Sequence, residues 1–255
     1  MGKNKLKKFR EMETIDCVFQ YPYRVVLQEG FPLRGKWRSD VFHNDNPVVL
    51  ELGCGKGEYT VGLARRYPGR NFIGVDIKGA RMHAGACDAR DNGLANVAFL
   101  RTGIELLDRF FLPGEVDEIW ITFPDPQMKK VNKRLTGTRF MDLYRKVLRP
   151  GGRINLKTDS PFLYTYTSLM VRENNLPVLE DFADLYQTEN CDPALTEIKT
   201  YYERQWLARG LTIKYLAFEL PAEGELVEPD ADIPPDTYRS FSRGTLECME
   251  IPDTL

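Results

Sequence analysis

Residues 48–57 read Val-Val-Leu-Glu-Leu-Gly-Cys-Gly-Lys-Gly, the segment of the chain that says most about its fold. An apolar run rich in β-branched residues leads to Glu51, and glycine soon occupies every second position. Such a run is typical of a buried strand, and the glycines permit a sharp turn into a helix with the backbone close to a ligand. The segment therefore predicts a strand, loop and helix of a ligand-binding α/β sheet.

The spacing of the three glycines separates this loop from the dinucleotide-binding type. Dinucleotide loops run Gly-x-Gly-x-x-Gly and carry their acidic residue on the next strand. Here Gly53, Gly55 and Gly57 follow Glu51, whose carboxylate would repel a pyrophosphate at the helix N-terminus. A cationic ligand that carries an amino group and a ribose fits better, so we predict an S-adenosylmethionine site.

Apolar runs and helical periodicity alternate along the rest of the chain. The predicted later strands cover residues 71–75, 97–100, 116–122, 153–157, 178–186 and 213–219. The predicted helices cover residues 59–67, 80–92, 139–148, 162–174 and 201–209, and Pro150-Gly151-Gly152 indicates a turn. This alternation implies a mostly parallel α/β sheet with helices on both faces. We expect seven strands, one of them antiparallel.

Length and composition fit one large α/β domain with extensions. We divide the 255 residues into a basic N-terminal arm (1–36), a main domain (37–220) and an acidic C-terminal extension (221–255). No apolar run approaches the roughly 20 residues that span a bilayer, and Met1 to Arg10 lacks the apolar core of a signal peptide. We therefore expect no membrane partner.

The five cysteines are scattered along the chain without a Cys-x-x-Cys pair. They stand at positions 17, 54, 87, 191 and 248. This pattern favours neither a disulfide framework nor a metal site, and it fits a reducing cytoplasm. We predict no metal, and either a monomer or a homodimer.

Charge is distributed unevenly, although the net charge is only −2. A basic arm holds Lys3, Lys5, Lys7, Lys8 and Arg10, and a second basic cluster holds Lys129, Lys130, Lys133, Arg134 and Arg139. A basic face can bind phosphates even when the total is slightly negative. For the arm alone we favour a solvated surface, whereas the second cluster follows a motif of its own.

Two candidate ligand residues follow the second and third strands. Asp76 ends the second strand, where a carboxylate can accept both ribose hydroxyls; the alternative is an N-cap for the next helix. Thr102 follows the third strand, where its hydroxyl can contact an adenine or equally cap a helix around Glu105.

The fourth strand is followed by Phe123-Pro124-Asp125-Pro126 and then by the second basic cluster. Two prolines fix the backbone and hold Asp125 at the mouth of the crevice. A rigid turn explains the prolines but not the lysines that follow. A fixed carboxylate beside a phosphate-binding loop suits a base presented on a polyanion.

Two later segments add polar and aromatic candidates. Asp159 follows the fifth strand and is expected in the same crevice. In the segment Thr200-Tyr201-Tyr202-Glu203, the glutamate can bind the N–H edge of guanine and the aromatic rings can stack on a base. The alternative, at least as good on residues alone, is a helix start with Thr200 as cap and Glu203 completing a capping box.

Together these motifs carry a resemblance to a known family. They are Leu50-Glu51-Leu52-Gly53-Cys54-Gly55-Lys56-Gly57, Gly74-Val75-Asp76, Phe123-Pro124-Asp125-Pro126, Leu156-Lys157-Thr158-Asp159 and Thr200-Tyr201-Tyr202-Glu203. From about Trp37 to Leu220 the chain resembles the bacterial tRNA (guanine-N7-)-methyltransferases. Many methyltransferases share the glycine loop, whereas Phe-Pro-Asp-Pro followed by lysines and Thr-x-Tyr-Glu is far more specific.

The resemblance implies a Rossmann-like class I methyltransferase fold that forms N7-methylguanosine at the variable-loop guanine of tRNA. It implies that the cofactor is held by Glu51, Gly53, Gly55, Gly57, Asp76, Thr102 and Asp125. It makes Asp125 the catalytic residue and assigns Lys129, Asp159, Thr200, Tyr201, Tyr202 and Glu203 to the tRNA. The chain departs from the family pattern in three places. Gln127 stands where the family usually has Trp, Val131-Asn132 stands where it has Arg-His, and Thr102 stands where an acidic residue is common.

Two other functions remain open from the sequence. One is a methyltransferase acting on another RNA or on a small molecule, although the basic loop disfavours small molecules. The other is a non-catalytic subunit that binds S-adenosylmethionine and RNA. The presence of Glu51, Asp76 and Asp125 together argues instead for an active enzyme.

Overall fold

A computed structural model describes residues 3–237 of the chain. Cys248 and residues 238–255 of the predicted extension lie outside the described residues. The strands are β1 (Val18–Gln20), β2 (Val48–Leu52), β3 (Asn71–Val75), β4 (Val97–Arg101), β5 (Val116–Thr122), β6 (Leu148–Thr158), β7 (Val178–Phe182) and β8 (Lys214–Leu220). They form one sheet in the order β1-β4-β3-β2-β5-β6-β8-β7.

The helices connect these strands. They are α1 (Lys3–Met12), α2 (Tyr23–Glu29), α3 (Glu58–Arg66), α4 (Gly79–Asp91), α5 (Leu107–Phe110), α6 (Thr138–Arg145), α7 (Pro161–Glu173), α8 (Ala194–Glu197) and α9 (Tyr201–Ala208). Short 3-10 turns cover Ile104–Leu106, Val131–Lys133 and Leu185–Gln187, and Trp37–Phe42 forms a π-helix. Among the described residues, no helix combines the length and apolar character needed to cross a membrane.

The predicted α/β class is confirmed, but the strand count of seven is wrong. The sheet has eight strands, because Val18–Gln20 pairs in parallel with β4 at the edge of the sheet. Three residues are too short to show the alternating pattern that identifies a strand in a sequence. The single antiparallel strand is confirmed, since β8 runs antiparallel to both β6 and β7.

The predicted turn at Pro150-Gly151-Gly152 lies inside strand β6. Its pairing with β5 shifts register between Val116 and Glu118, and Gly151 has φ +65°. A bulge with a left-handed glycine absorbs the proline and glycines without ending the strand. The strand therefore begins at Leu148, where the sequence predicted the end of a helix.

The central strands are buried along their length, as the apolar run at 48–52 predicts. Every residue of β2 and β3 is buried, because helices cover both faces of the sheet. The chain winds outward from β2 through β3 to β4, then crosses back to β5 and β6. The order therefore reverses between β2 and β5, and a ligand crevice is expected at their carboxyl ends.

Candidate active site

The glycine loop has the backbone conformation that its sequence predicts. Gly53, Gly55 and Gly57 have φ of 78°, 56° and 74°, a region that favours glycine. A Cβ at Gly57 would lie 2.6 Å from the Phe99 ring, whereas one at Gly53 would meet nothing within 4 Å. Gly57 is thus needed for packing, and Gly53 faces open space that a ligand can enter.

Glu51 is buried beneath this loop and ties three elements together. One carboxylate oxygen accepts from the Thr122 hydroxyl at 2.6 Å, and the other accepts from the backbone N–H (2.8 Å) and hydroxyl of Thr60. Burial raises the pKa of Glu51 to about 7, although these hydrogen bonds oppose the shift. A carboxylate has about four acceptor positions, so one is left for a cationic ligand.

Asp76 connects the end of β3 to the glycine loop. Its carboxylate accepts from the backbone N–H of Gly55 at 2.9 Å and from that of Lys78 at 2.7 Å. The second bond is the local turn expected of a helix start, whereas the first crosses to the loop. Asp76 is therefore positioned at the crevice beside the glycines.

Thr102 is buried at the end of β4. The adjoining 3-10 turn has Gly103 as its N-cap, with no side-chain capping bond there. Thr102 therefore does not cap this turn.

The Phe123-Pro124-Asp125-Pro126 turn follows β5 directly. Phe123 and Gln127, on either side of it, have φ of 48° and 49°, a conformation that L side chains rarely adopt. The Asp125 side chain is exposed and accepts from the Gln127 N–H at 3.1 Å. Strain of this kind concentrates at functional sites and here holds an exposed carboxylate in one place.

The basic cluster divides into exposed and buried members. Lys129 and Lys130 are exposed, but Arg134 is buried. The Arg134 guanidinium donates to the carbonyls of Gln127 (3.2 Å) and Met128 (2.7 Å) and lies 4.4 Å from the Tyr166 ring centre. Arg134 therefore shapes the loop, and the lysines face solvent.

Asp159, which the sequence predicted to lie in the crevice, is buried after β6. The Lys214 ammonium lies 3.4 Å from its backbone carbonyl, and burial lowers the pKa of Lys214 while Asp159 opposes that shift. The structure thus places Asp159 in a charged buried cluster at the end of the sheet.

At the start of α9 only half of the predicted capping box forms, because the Glu203 carboxylate pairs with Lys157, and the base-contact alternative stays a prediction. The Thr200 hydroxyl accepts from the Glu203 N–H at 3.1 Å, so Thr200 caps the helix. Tyr201 and Tyr202 are 39% and 45% exposed, with the Lys56 ammonium 4.3 Å from the Tyr201 ring centre. Lys56 belongs to the glycine loop, so these rings stand beside the crevice.

Glu203 forms a buried ion pair that the sequence did not reveal. Its carboxylate lies 2.6 Å from the Lys157 ammonium and accepts from the Tyr186 hydroxyl at 2.8 Å. Neither Lys157 nor Glu203 is exposed. Within the described chain, the second oxygen of Glu203 and the Tyr59 hydroxyl are buried without a hydrogen-bond partner.

Sequence reasoning missed the residues that support the expected ligands: Thr60 and Thr122 for Glu51, and Lys157 and Tyr186 for Glu203. The one available signal was Lys157, a lysine in a strand that is otherwise apolar or neutral from Ile154. A buried lysine needs a partner, but the sequence does not name it.

The donor set at the crevice fits S-adenosylmethionine. Glu51 offers a carboxylate acceptor for an amino group, Asp76 offers one for ribose hydroxyls, and Gly53 leaves room for close approach. Two of these groups are carboxylates and the third is glycine backbone, and all three belong to or adjoin one loop. The negative charge of the carboxylates suits a cationic ligand.

One trio of possible metal ligands exists among the described residues, and it shares none with this site. Glu11 of α1 and His83 and Cys87 of α4 lie within 4.8 Å of one another. Arg90 stands 3.9 Å from the Glu11 carboxylate, and a guanidinium opposes a bound cation.

The family model described as "Putative methyltransferase" matches residues 45–216. The chain is 65% identical to the tRNA (guanine-N(7)-)-methyltransferase of Porphyromonas gingivalis over 91% of this chain and 96% of that protein. The chain belongs to the tRNA (guanine-N(7)-)-methyltransferase family. It is also 60% identical to the Bacteroides fragilis member, over 95% of this chain and 96% of that protein.

Solved structures of other methyltransferases share the fold. The 16S rRNA methyltransferase KamB aligns with a TM-score of 0.55 and 16% identity, over 80% of this chain and 95% of that one. A variant of the 16S rRNA (adenine(1408)-N(1))-methyltransferase of Catenulisporales acidiphilia, solved with S-adenosylmethionine, aligns at 0.50 and 17%, over 78% and 93%. The class I methyltransferase fold of this chain is thereby confirmed.

Proposed function

We propose that this protein forms N7-methylguanosine in tRNA, using S-adenosylmethionine as the methyl donor. The 65% identity to the Porphyromonas gingivalis tRNA (guanine-N(7)-)-methyltransferase over 91% of the chain carries the proposal. The crevice supports it, because carboxylates for a cationic cofactor lie beside a strained Asp125 turn and exposed lysines.

The residues on the cofactor side divide the work of binding. We assign Glu51 to the amino group, Asp76 to the ribose and Thr102 to the adenine edge, with Gly53, Gly55 and Gly57 giving the backbone its close approach. When bound, S-adenosylmethionine supplies a methyl group activated by a positive sulfur.

Asp125 is the proposed catalytic residue, and its role is electrostatic. Guanine N7 carries a lone pair and no proton, so no base is needed. The purine would become positive as the bond from N7 to the methyl carbon forms and the bond from that carbon to sulfur breaks. An exposed carboxylate held by its strained turn can favour that charge and align N7 with the methyl carbon.

The tRNA side is assigned to Lys129 for phosphate, to Tyr201 and Tyr202 for stacking, and to Asp159, Thr200 and Glu203 for the wall behind the base. The last three are buried, and we assign them to holding α9 and the end of β6 in place. The variable-loop guanine is the proposed acceptor, and the protein is proposed to act in the cytoplasm, as a monomer or homodimer, without metal.

Methyl transfer from labelled S-adenosylmethionine tests the proposal. We expect N7-methylguanosine in nucleoside digests of tRNA, and none from a transcript whose variable-loop guanine is replaced by adenine. Transfer to ribosomal RNA or to small molecules instead would support the alternative methyltransferase function. Cofactor binding by calorimetry without transfer to any RNA would indicate a non-catalytic subunit.

A further inference from the structure

The segment that follows β8 runs back along the molecule toward the carboxyl end of β6. Residues 221–237, here called the strap, leave β8 at Leu220, which pairs with Gly152 near the start of β6. The strap ends at the N-terminus of α7, which follows the carboxyl end of β6. It lies outside the matched family region of residues 45–216.

Two sets of hydrogen bonds hold the first half of the strap. The Arg145 guanidinium donates to the carbonyls of Pro221 (2.8 Å) and Gly224 (2.6 Å). The Asn174 side chain donates to the Val227 carbonyl at 2.8 Å and accepts from its N–H at 2.7 Å. Leu226 and Ile233 pack on the core, so the strap is docked rather than loosely attached.

Glu228 links the strap to the basic loop at Gln127–Arg134 through the side chain of Tyr166. Its carboxylate accepts from the Thr138 N–H at 3.0 Å and from the Tyr166 hydroxyl. The Arg134 guanidinium lies 4.4 Å from the centre of the Tyr166 ring and donates to the carbonyls of Gln127 and Met128. The strap therefore buttresses the side chain that shapes this loop.

Asp236 makes the second link, and this one is direct. Its carboxylate accepts from the Ser160 hydroxyl and from the Phe162 N–H at 3.0 Å, and its own N–H points to the Met128 sulfur at 3.1 Å. Ser160 is the N-cap of α7 and follows Asp159. One buried residue thus joins the loop that carries Lys129 to the turn that carries Asp159.

The charge of Asp236 has a further consequence for the same place. A helix N-terminus attracts anions, and α7 opens at the carboxyl end of β6. The Asp236 carboxylate occupies that position and uses the free N–H of Phe162. The N-terminus of α7 is therefore already occupied by a carboxylate of the chain itself.

We propose that the strap fixes the tRNA-facing wall of the crevice, with Asp236 as the positioning residue between the basic loop and the β6–α7 turn. This inference rests on the proposed tRNA methyltransferase function. The partner surface that it defines is the one formed by the loop and this turn, and its ligand is the tRNA backbone.

Steady-state kinetics of the full chain with tRNA and S-adenosylmethionine test the proposal. Asp236→Asn keeps the side-chain size but cannot accept both hydrogen bonds, and Met128→Leu removes the sulfur without touching the cap of α7. We expect the KM for tRNA to rise about three- to tenfold in Asp236→Asn, with the Kd for S-adenosylmethionine unchanged. Met128→Leu should change the same parameter in the same direction, by less.

Asp232→Asn is the matched control, because Asp232 is an exposed acid of the same strap and loses the same charge. We expect it to behave as wild type. An unchanged KM for tRNA in the folded Asp236 and Met128 variants overturns the proposal, as does an equal rise in Asp232→Asn. If Asp236→Asn does not fold, Met128→Leu decides. Absence of N7-methylguanosine with the wild-type chain would instead overturn the proposed function.

Discussion

The Lys157 ammonium and the Glu203 carboxylate lie 2.6 Å apart, and neither side chain is exposed to solvent. The pair joins the carboxyl end of β6 to the first turn of α9, which presents Tyr201 and Tyr202. Burial lowers the pKa of Lys157, and Glu203 opposes that shift. The position of the two exposed rings thus depends on a charge pair beneath them.

Lys157→Met should lower the free energy of unfolding by about 3–5 kcal/mol, because it leaves the Glu203 charge buried without its cation. Urea denaturation measures this. The double variant Lys157→Met with Glu203→Leu should recover most of the loss. Arg65→Met is the control, since its pair with Asp88 is exposed and should contribute less than about 1 kcal/mol. A similarly small loss in Lys157→Met would contradict the prediction.

Glu51 should make stability depend on pH. Its pKa is raised from 4.5 to about 7 on folding, so the folded state binds the proton more tightly. The resulting stabilisation is fully present below about pH 4.5 and is lost as the pH rises through about 7, an effect of about 3 kcal/mol. We expect the stability of wild type relative to Glu51→Gln to fall over this range. A constant difference would show that Glu51 does not titrate there.

Glycine substitutions should separate packing from ligand contact. The added methyl group of Gly53→Ala meets open space, so the substitution should cost only the roughly 1–2 kcal/mol of stability that a positive φ imposes. It should also weaken S-adenosylmethionine binding, because the methyl group enters the space that the ligand needs. Gly93→Ala also has a positive φ and open space, and it lies in the turn after α4, so it serves as the control. Gly57→Ala, against Phe99, should be the most destabilising. Calorimetric cofactor affinities that fall equally in Gly53→Ala and Gly93→Ala would argue against close approach at Gly53.

Asp125→Ala should abolish methyl transfer and leave S-adenosylmethionine binding measurable, because the exposed side chain acts on the developing charge. Asp125→Asn keeps the bond from the Gln127 N–H and should still lose turnover. Single-turnover transfer and calorimetry measure the two effects. Unchanged turnover in Asp125→Asn would remove the electrostatic role.

Lys129→Ala should weaken tRNA binding and reduce the slope of log Kd against log salt by about one, as expected for one lost phosphate contact. Lys146→Ala, an exposed lysine after α6, should leave the slope unchanged. Arg134→Ala should instead destabilise the loop, because that side chain is buried and holds two carbonyls. A salt slope equal to wild type in Lys129→Ala would place the phosphate contact elsewhere.

Much of the local geometry around the proposed cofactor residues was predictable, because its signals are local in sequence. The glycines must adopt positive φ, and Glu51 and Asp76 stand at strand ends that a parallel sheet brings together. The hydrogen bonds from Thr60 and Thr122 to Glu51 span 9 and 71 positions of sequence, so their pairing was not readable. Strand β1 was not predicted because its three residues are too few to show an alternating pattern.

The acceptor half was less predictable because burial decides what each residue does. Lys129 and Arg134 read alike as basic residues, yet one is exposed and the other packs under the loop. Glu203 read as a capping-box or base-contacting residue, and the structure pairs it with Lys157, 46 positions away.

The α/β class, the conformation of the glycine loop and the family motifs could all be read from the amino-acid sequence, because each depends on a short run of residues with a fixed local conformation. Three-dimensional packing was needed to show which charges are buried and which partners neutralise them. It was also needed to show that residues 221–237 return to the basic loop and the β6–α7 turn through Asp236. These depend on contacts between segments far apart in the chain, and hydrophobic burial selects them only once the whole sheet has formed.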